Sequence, residues 1–215
     1  MNALALFVAV ATGLQDKPQD ILKKDLPKEA ECTVCTAKGA PMGLEKPVAG
    51  VLFKGKPFFF CNKQEIGEFK KNPDLFVPLE LPMSLPALNL KDQGGKEWNS
   101  EAFKGKLILL DYWATWCKPC LALKPKIDKV RAEYQSKGFE VLSISIDEKR
   151  SVLDQFLKRK PFDNPVAFDD KQTWAKLKVI TIPALFLVKD GNIVAVLKGN
   201  VEEKMLESAV KTNLP

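Results

Sequence analysis

Two cysteines separated by two residues, Cys117-Lys118-Pro119-Cys120, stand between the apolar run Leu107-Ile108-Leu109-Leu110-Asp111-Tyr112 and a stretch of helical periodicity. Where a strand ends and a helix begins, the first sulfur sits at a helix N-terminus, whose unsatisfied N–H groups favour a thiolate. The second lies within one turn and can attack a mixed disulfide formed at the first. The same spacing serves half of a zinc site or a structural disulfide. Here the preceding strand, Trp116 beside the pair and Ile182-Pro183 far downstream point to a redox centre.

The 215 residues include no histidine. That absence removes Ser-His-Asp and Cys-His catalysis, zinc sites with histidine ligands and C-x-x-C-H haem attachment, leaving cysteines and carboxylates as the reactive groups. A hydrophobic content of 46% is that of a globular chain. The formal net charge of +6 comes from scattered lysines without a block of like charges, so nucleic acid is not an expected partner. Met1 to Gly13 is apolar and resembles a short export signal, with Ala9-Val10-Ala11 as its cleavage site, although it lacks the lysine or arginine of a usual n-region. The mature chain is expected to begin shortly after Ala11, in a periplasmic or other extracytoplasmic location. The segment is too short for a stable membrane span, which needs about 17–25 residues.

Cys32-Thr33-Val34-Cys35 opens the next region, and a Gly/Pro-rich loop follows. Val51 to Cys61 then reads as a hairpin turning at Lys54-Gly55-Lys56-Pro57, with a short helix carrying Ile66 and Phe69 before Asn72-Pro73-Asp74. Over residues 30–78 this pattern resembles the YHS or TRASH type of small cysteine module. The match is carried by Phe53, Gly55, Lys56, Phe58, Phe60, Cys61, Phe69, Asn72, Pro73, Asp74 and Phe76. That family usually places a second cysteine four residues after the hairpin cysteine; Glu65 stands there instead. Cys32, Cys35, Cys61 and Glu65 could form a three-thiolate, one-carboxylate site suited to zinc or copper(I). In an oxidising compartment the alternative is a disulfide, Cys35 to Cys61 or Cys32 to Cys35, with one thiol left over. Residues 79–86, rich in proline, read as a semi-rigid linker.

From residue 87 to 215 the pattern alternates strands and helices. Leu88 to Trp98 turns at Gly94-Gly95, Phe139 to Ile146 alternates as a strand, and Asp147 is placed to cap the helix that follows. Ala184 to Leu197 forms a hairpin around Asp190-Gly191. After Cys120, apolar residues recur at Leu123, Ile127, Val130 and Tyr134, one face of a helix that Pro125 should kink. Strands flanked by helices give an α/β class, a three-layer α/β/α sandwich on a central mixed sheet, with the smaller α+β module in front.

Leu-Lys-Asp-x-x-Gly-Lys, Phe-Lys-Gly-Lys, Trp-Ala-Thr-Trp-Cys-x-Pro-Cys and the downstream Ile-Pro together resemble the thioredoxin fold, specifically thiol–disulfide oxidoreductases of the TlpA or ResA type. The resemblance implies that Cys117 is an exposed attacking thiolate and Cys120 a buried resolving thiol, with no cofactor beyond their disulfide. It implies that Asp111 is a buried carboxylate relaying a proton to the second cysteine. Trp116, Thr181, Ile182 and a cis Pro183 would line the substrate groove. The implied partners are protein thiols or disulfides and an upstream electron donor or acceptor. Peroxide reduction would call for a threonine three residues before the first cysteine, where Ala114 stands.

Overall fold

The computed structural model describes residues 17–40 and 43–214; the expected export signal lies outside the described residues. The chain divides into two compact units at Val77–Pro78, with the short piece Ala37–Ala40 grouped with the second.

In the first unit, β1 (Gln19–Ile21), β2 (Ala49–Phe53) and β3 (Lys56–Phe60) form an antiparallel sheet in that order. The β2–β3 turn is the two residues Lys54 and Gly55, both at positive φ (48° and 72°), the mirror-image turn that matches strand twist. The short helix α1 (Thr33–Ala37) precedes β2, and α2 (Lys63–Lys71) follows β3. Asn62 caps α2 by accepting the Glu65 N–H at 3.0 Å. Phe69 of α2 is fully buried among Phe53, Phe58, Phe60 and Phe76, its ring centroid 5.1 to 6.1 Å from theirs. An aromatic cluster of this kind gives a unit of this size most of its apolar burial.

The second unit contains β4 (Met83–Ser84), β5 (Leu90–Lys91), β6 (Glu97–Trp98), β7 (Leu107–Trp113), α3 (Lys118–Tyr134), β8 (Phe139–Ser145) and α4 (Arg150–Arg159). It continues with β9 (Val166–Phe168), α5 (Thr173–Lys176), β10 (Ala184–Lys189), β11 (Asn192–Lys198) and α6 (Glu203–Asn213). Its six-stranded mixed sheet runs β4-β11-β10-β7-β8-β9, with β7, β8 and β9 parallel and the remaining pairs antiparallel. All seven residues of β7 are buried, as a central strand covered on both faces requires. Ile108, Leu110 and Tyr112 pack with Leu90, Trp98 and Phe186. Leu107 and Leu109 pack with Leu123, Ile127 and Val130 of α3 and with Leu206 and Val210 of α6. Period-two alternation therefore aims Asp111 at the side that α3 covers.

Part of the proline-rich stretch, expected as a linker, joins the sheet. Met83–Ser84 pairs with Asn192–Ile193 at the edge, and Leu79, Met83 and Leu85 pack on the core. An edge strand tolerates neighbouring prolines because one side of its ladder needs no donors. Asp147 does not cap α4, whose start at Arg150 follows Lys149 with no side-chain cap. No helix among the described residues is long and apolar enough to cross a membrane.

Candidate active site

Cys117 ends the loop after β7 and occupies the N-cap of α3, where its sulfur accepts the Cys120 N–H at 3.2 Å. Pro119 sits in the first turn, where no N–H is missed. Cys117 and Cys120 are joined by a disulfide. Cys117 is not the open residue expected: it is 4% exposed and Cys120 is 1% exposed, while Trp116 beside them is 67% exposed. With the pair oxidised, both cysteines pack in a cluster with Trp113, Ala114, Leu153 and Val166, and the indole of Trp116 stands in solvent.

Asp147 has a role that its place in the sequence does not disclose. It accepts from the Thr115 hydroxyl at 2.7 Å, the Thr115 N–H at 3.1 Å and the Ser145 hydroxyl at 2.7 Å. The end of β8 thus pins the loop two residues before Cys117, and the acceptor capacity of the buried carboxylate is taken up by these donors.

Asp111 is 1% exposed and meets the ammonium of Lys124, which also donates to Ser143 Oγ at 2.8 Å. Ser143 in turn donates to Asp111 at 3.0 Å and accepts from Asn164 Nδ2 at 2.9 Å. The Lys124 ammonium lies 4.5 Å from the Trp113 ring centroid and 4.7 Å from that of Phe162. Burial pushes the Lys124 pKa down, and the Asp111 charge opposes that shift. A buried ammonium is retained where it has a carboxylate, a hydroxyl and two aromatic faces. Lys124 lies four residues after Cys120, on the same helix face, and that spacing is the signal that could have found it.

Thr181, Ile182 and Trp116 line one cleft of about 820 Å3, together with Trp174 and the acidic Glu148 and Asp170. Ile182 also packs against the cluster holding Cys117, Cys120, Trp113 and Ala114. The Ile182–Pro183 peptide is cis, and Pro183 is buried, its carbonyl accepting from Gly199. Trp174, Glu148 and Asp170 enter from loops and α5 and carry no motif that marks them in the sequence.

The first unit holds a second constellation. Cys32, Cys35, Cys61 and Glu65 each offer a ligand atom, and these atoms lie within 4.8 Å of one another. All three thiols donate to the one carboxylate: Cys32 at 2.7 Å, Cys61 at 2.9 Å and Cys35 at 3.1 Å. The Cys35 and Cys61 sulfurs are 3.8 Å apart, and none of the three cysteines is in a disulfide. Burial and then the Glu65 hydrogen bond push the Cys35 thiol up to about 12. The Glu65 hydrogen bond, followed by burial, pushes the Cys61 thiol up as well.

Comparison with known proteins agrees with this geometry. The AhpC/TSA family matches residues 83–196. The chain is 32% identical over 139 residues to the thiol–disulfide oxidoreductase ResA of Bacillus thuringiensis subsp. konkukian (strain 97-27), covering 64% of this chain and 80% of that one. It is 30% identical over 123 residues to ResA of Bacillus subtilis (strain 168), covering 56% and 69%. Among solved structures, a protein of Chlorobium tepidum assigned as thiol:disulfide interchange protein DsbE aligns with a TM-score of 0.59 at 29% identity, covering 64% of this chain and all of that one. The chain belongs to the AhpC/TSA family, and within it to the thiol–disulfide oxidoreductases of the ResA type.

Proposed function

We propose that the chain exchanges disulfides with protein substrates outside the cytoplasm, through Cys117 and Cys120. The observation that carries this reading is the sulfur pair at the start of α3, held beside a cleft with an exposed tryptophan. In the reductive direction the Cys117 thiolate, favoured by the α3 N-terminus, attacks one sulfur of a substrate disulfide and the other leaves as a thiol. Cys120 then attacks the Cys117 sulfur, the second substrate thiol leaves, and two electrons have passed to the substrate. Asp111 serves the proton traffic of the buried Cys120, with Lys124 and Ser143 holding the carboxylate in place. Trp116 covers the substrate segment, which pairs with the Thr181–Ile182 backbone next to Pro183. An upstream thiol donor or acceptor resets the pair.

Cys117→Ser should abolish insulin-disulfide reduction with dithiothreitol, and full retained activity would refute the assignment. Trp116→Ala should raise KM with little change in stability, because the indole is exposed. The extracytoplasmic location rests on the apolar pattern of Met1 to Gly13; an intact Met1 on protein from the native host would sink it.

A second reading concerns the first unit, as a YHS/TRASH-like module that binds zinc or copper(I) through Cys32, Cys35, Cys61 and Glu65. The donor set fits: a tetrahedral ion with sulfur bonds of about 2.3 Å has sulfur–sulfur edges of about 3.8 Å, the separation of Cys35 and Cys61. Such an ion would tie α1, the end of β3 and α2 together. The chain's own contribution is to gather three thiols, which would release their protons to solvent on binding, around a carboxylate that already accepts from all three. Anaerobic purification without chelating resin followed by elemental analysis tests this, and less than a tenth of an equivalent of any transition metal would end it.

A further inference from the structure

Three thiols around one carboxylate can form three different disulfides, and the structure ranks them. Cys35 and Cys61 are both half-buried, and their sulfurs face each other at 3.8 Å. Cys32 is 2% exposed, and its sulfur donates to Glu65 Oε2 at 2.7 Å, the shortest of the three contacts with that carboxylate. Cys35 lies in a helix of five residues, and Cys61 in the link between β3 and the Asn62 cap, so neither sits inside a long rigid element. Closing their sulfurs to the bonded distance of about 2.05 Å requires an approach of only ~1.8 Å.

We propose that Cys35 and Cys61 are a second reversible thiol–disulfide couple of this chain, that Cys32 stays a thiol, and that this disulfide and a bound metal exclude each other. The exclusion rests on the metal reading above; the couple itself does not. The oxidant is a low-molecular-weight disulfide. One of the two thiolates attacks it, forming a mixed disulfide and releasing one thiol. The other cysteine then attacks the protein-side sulfur, forming Cys35–Cys61 and releasing the second thiol. Two electrons leave the cysteine pair, and the two thiol protons end on the two released thiols. Both sulfurs lose their anionic lone-pair donation to a metal in the same step, leaving Cys32 and Glu65, two ligands where a zinc site needs four.

The test uses the full chain with oxidised glutathione, once metal-free and once loaded with zinc. Disulfides are mapped by peptide mass spectrometry after thiol labelling, and zinc is followed with a chromophoric chelator. The expected result is a Cys35–Cys61 bond in wild type and in Cys32→Ser alike, with Cys32 labelled in wild type and, in the zinc-loaded wild type, zinc lost in step with the bond and retaken after dithiothreitol. A bond that includes Cys32 overturns the pairing. Zinc that stays in place after Cys35–Cys61 has formed overturns the exclusion. A chain that never takes up zinc overturns the metal reading and the exclusion with it, while the metal-free arm still decides the couple.

Discussion

Asp111→Asn isolates the buried ion pair behind the redox centre. The substitution keeps shape and hydrogen bonding but leaves the Lys124 ammonium, 6% exposed in its side chain, without its anion. Breaking a buried pair from one side costs about 3–5 kcal/mol. The Ser143 hydroxyl at 2.8 Å and the Trp113 and Phe162 rings at 4.5 and 4.7 Å remain, and cation–aromatic contact offsets roughly 1 kcal/mol. The expected destabilisation is therefore about 2–4 kcal/mol at pH 7. It has a pH signature. Lys124 titrates below its ordinary value in the fold, so the unfolded chain binds more protons between the folded and unfolded pKa values, and stability rises with pH across that window. Losing Asp111 removes the charge that opposed the shift and widens the window downward. The deficit should shrink as pH rises from neutral toward about 10.4, the ordinary lysine value. Urea denaturation of the oxidised protein at several pH values, followed by tryptophan fluorescence, reads both quantities. Asp111→Asn combined with Lys124→Met should recover most of the loss, since an apolar replacement of both partners is often neutral. A single-variant deficit below about 0.5 kcal/mol, or one that does not vary with pH, would refute the argument that the pair is held together by charge compensation.

Three further predictions use other parts of the molecule. Asp147→Ala frees Thr115 and with it the approach to Cys117, so kcat/KM for insulin reduction should fall by about ten- to a hundredfold; unchanged kinetics would mean that the loop holds its shape without that carboxylate. Phe69→Ala empties the centre of the five-phenylalanine cluster and should cost about 3–5 kcal/mol, seen as early unfolding of the first unit in near-ultraviolet circular dichroism. Glu65→Gln removes the negative charge that, together with burial, raises the Cys35 and Cys61 thiols, so the metal-free variant should be alkylated by iodoacetamide several-fold faster than wild type at pH 8, where thiols pushed this far up are almost wholly protonated.

Much of the second unit is legible along the chain because its signals are local. The apolar run Leu107 to Tyr112 becomes the central strand, the Asp190-Gly191 pair makes the β10–β11 turn, and the four- and three-residue steps after Cys120 become the buried face of α3. Each depends on the side-chain period or on the φ preference of residues a few positions apart. Asp111 reads the same way, since period two aims it at the face under α3.

What covers that face is another matter. Lys124 looks like one more lysine among many until β7, β8 and α3 are assembled and Asp111, Ser143 and Asn164 close around it. Asp147 reads as a helix cap because capping is a local rule, yet besides the nearby Ser145 hydroxyl it satisfies the donors of Thr115, thirty-two residues earlier and brought close by the parallel β7–β8 pairing. The prolines of 78–86 favour an extended spacer and leave open that Met83–Ser84 finds an edge to pair with.

The redox pair shows the division most plainly. Its spacing, its place between strand and helix and the residue types beside it are properties of a few consecutive positions, and the sequence alone determined that Cys117 and Cys120 face each other where β7 gives way to α3. Their near-complete burial, the cleft shared by Trp116, Thr181 and Ile182, and the convergence of Cys32, Cys35 and Cys61 on Glu65 were decided only by the tertiary structure. Burial and convergence are sums over distant parts of the chain, and backbone preference, which acts over a few residues, carries no record of them.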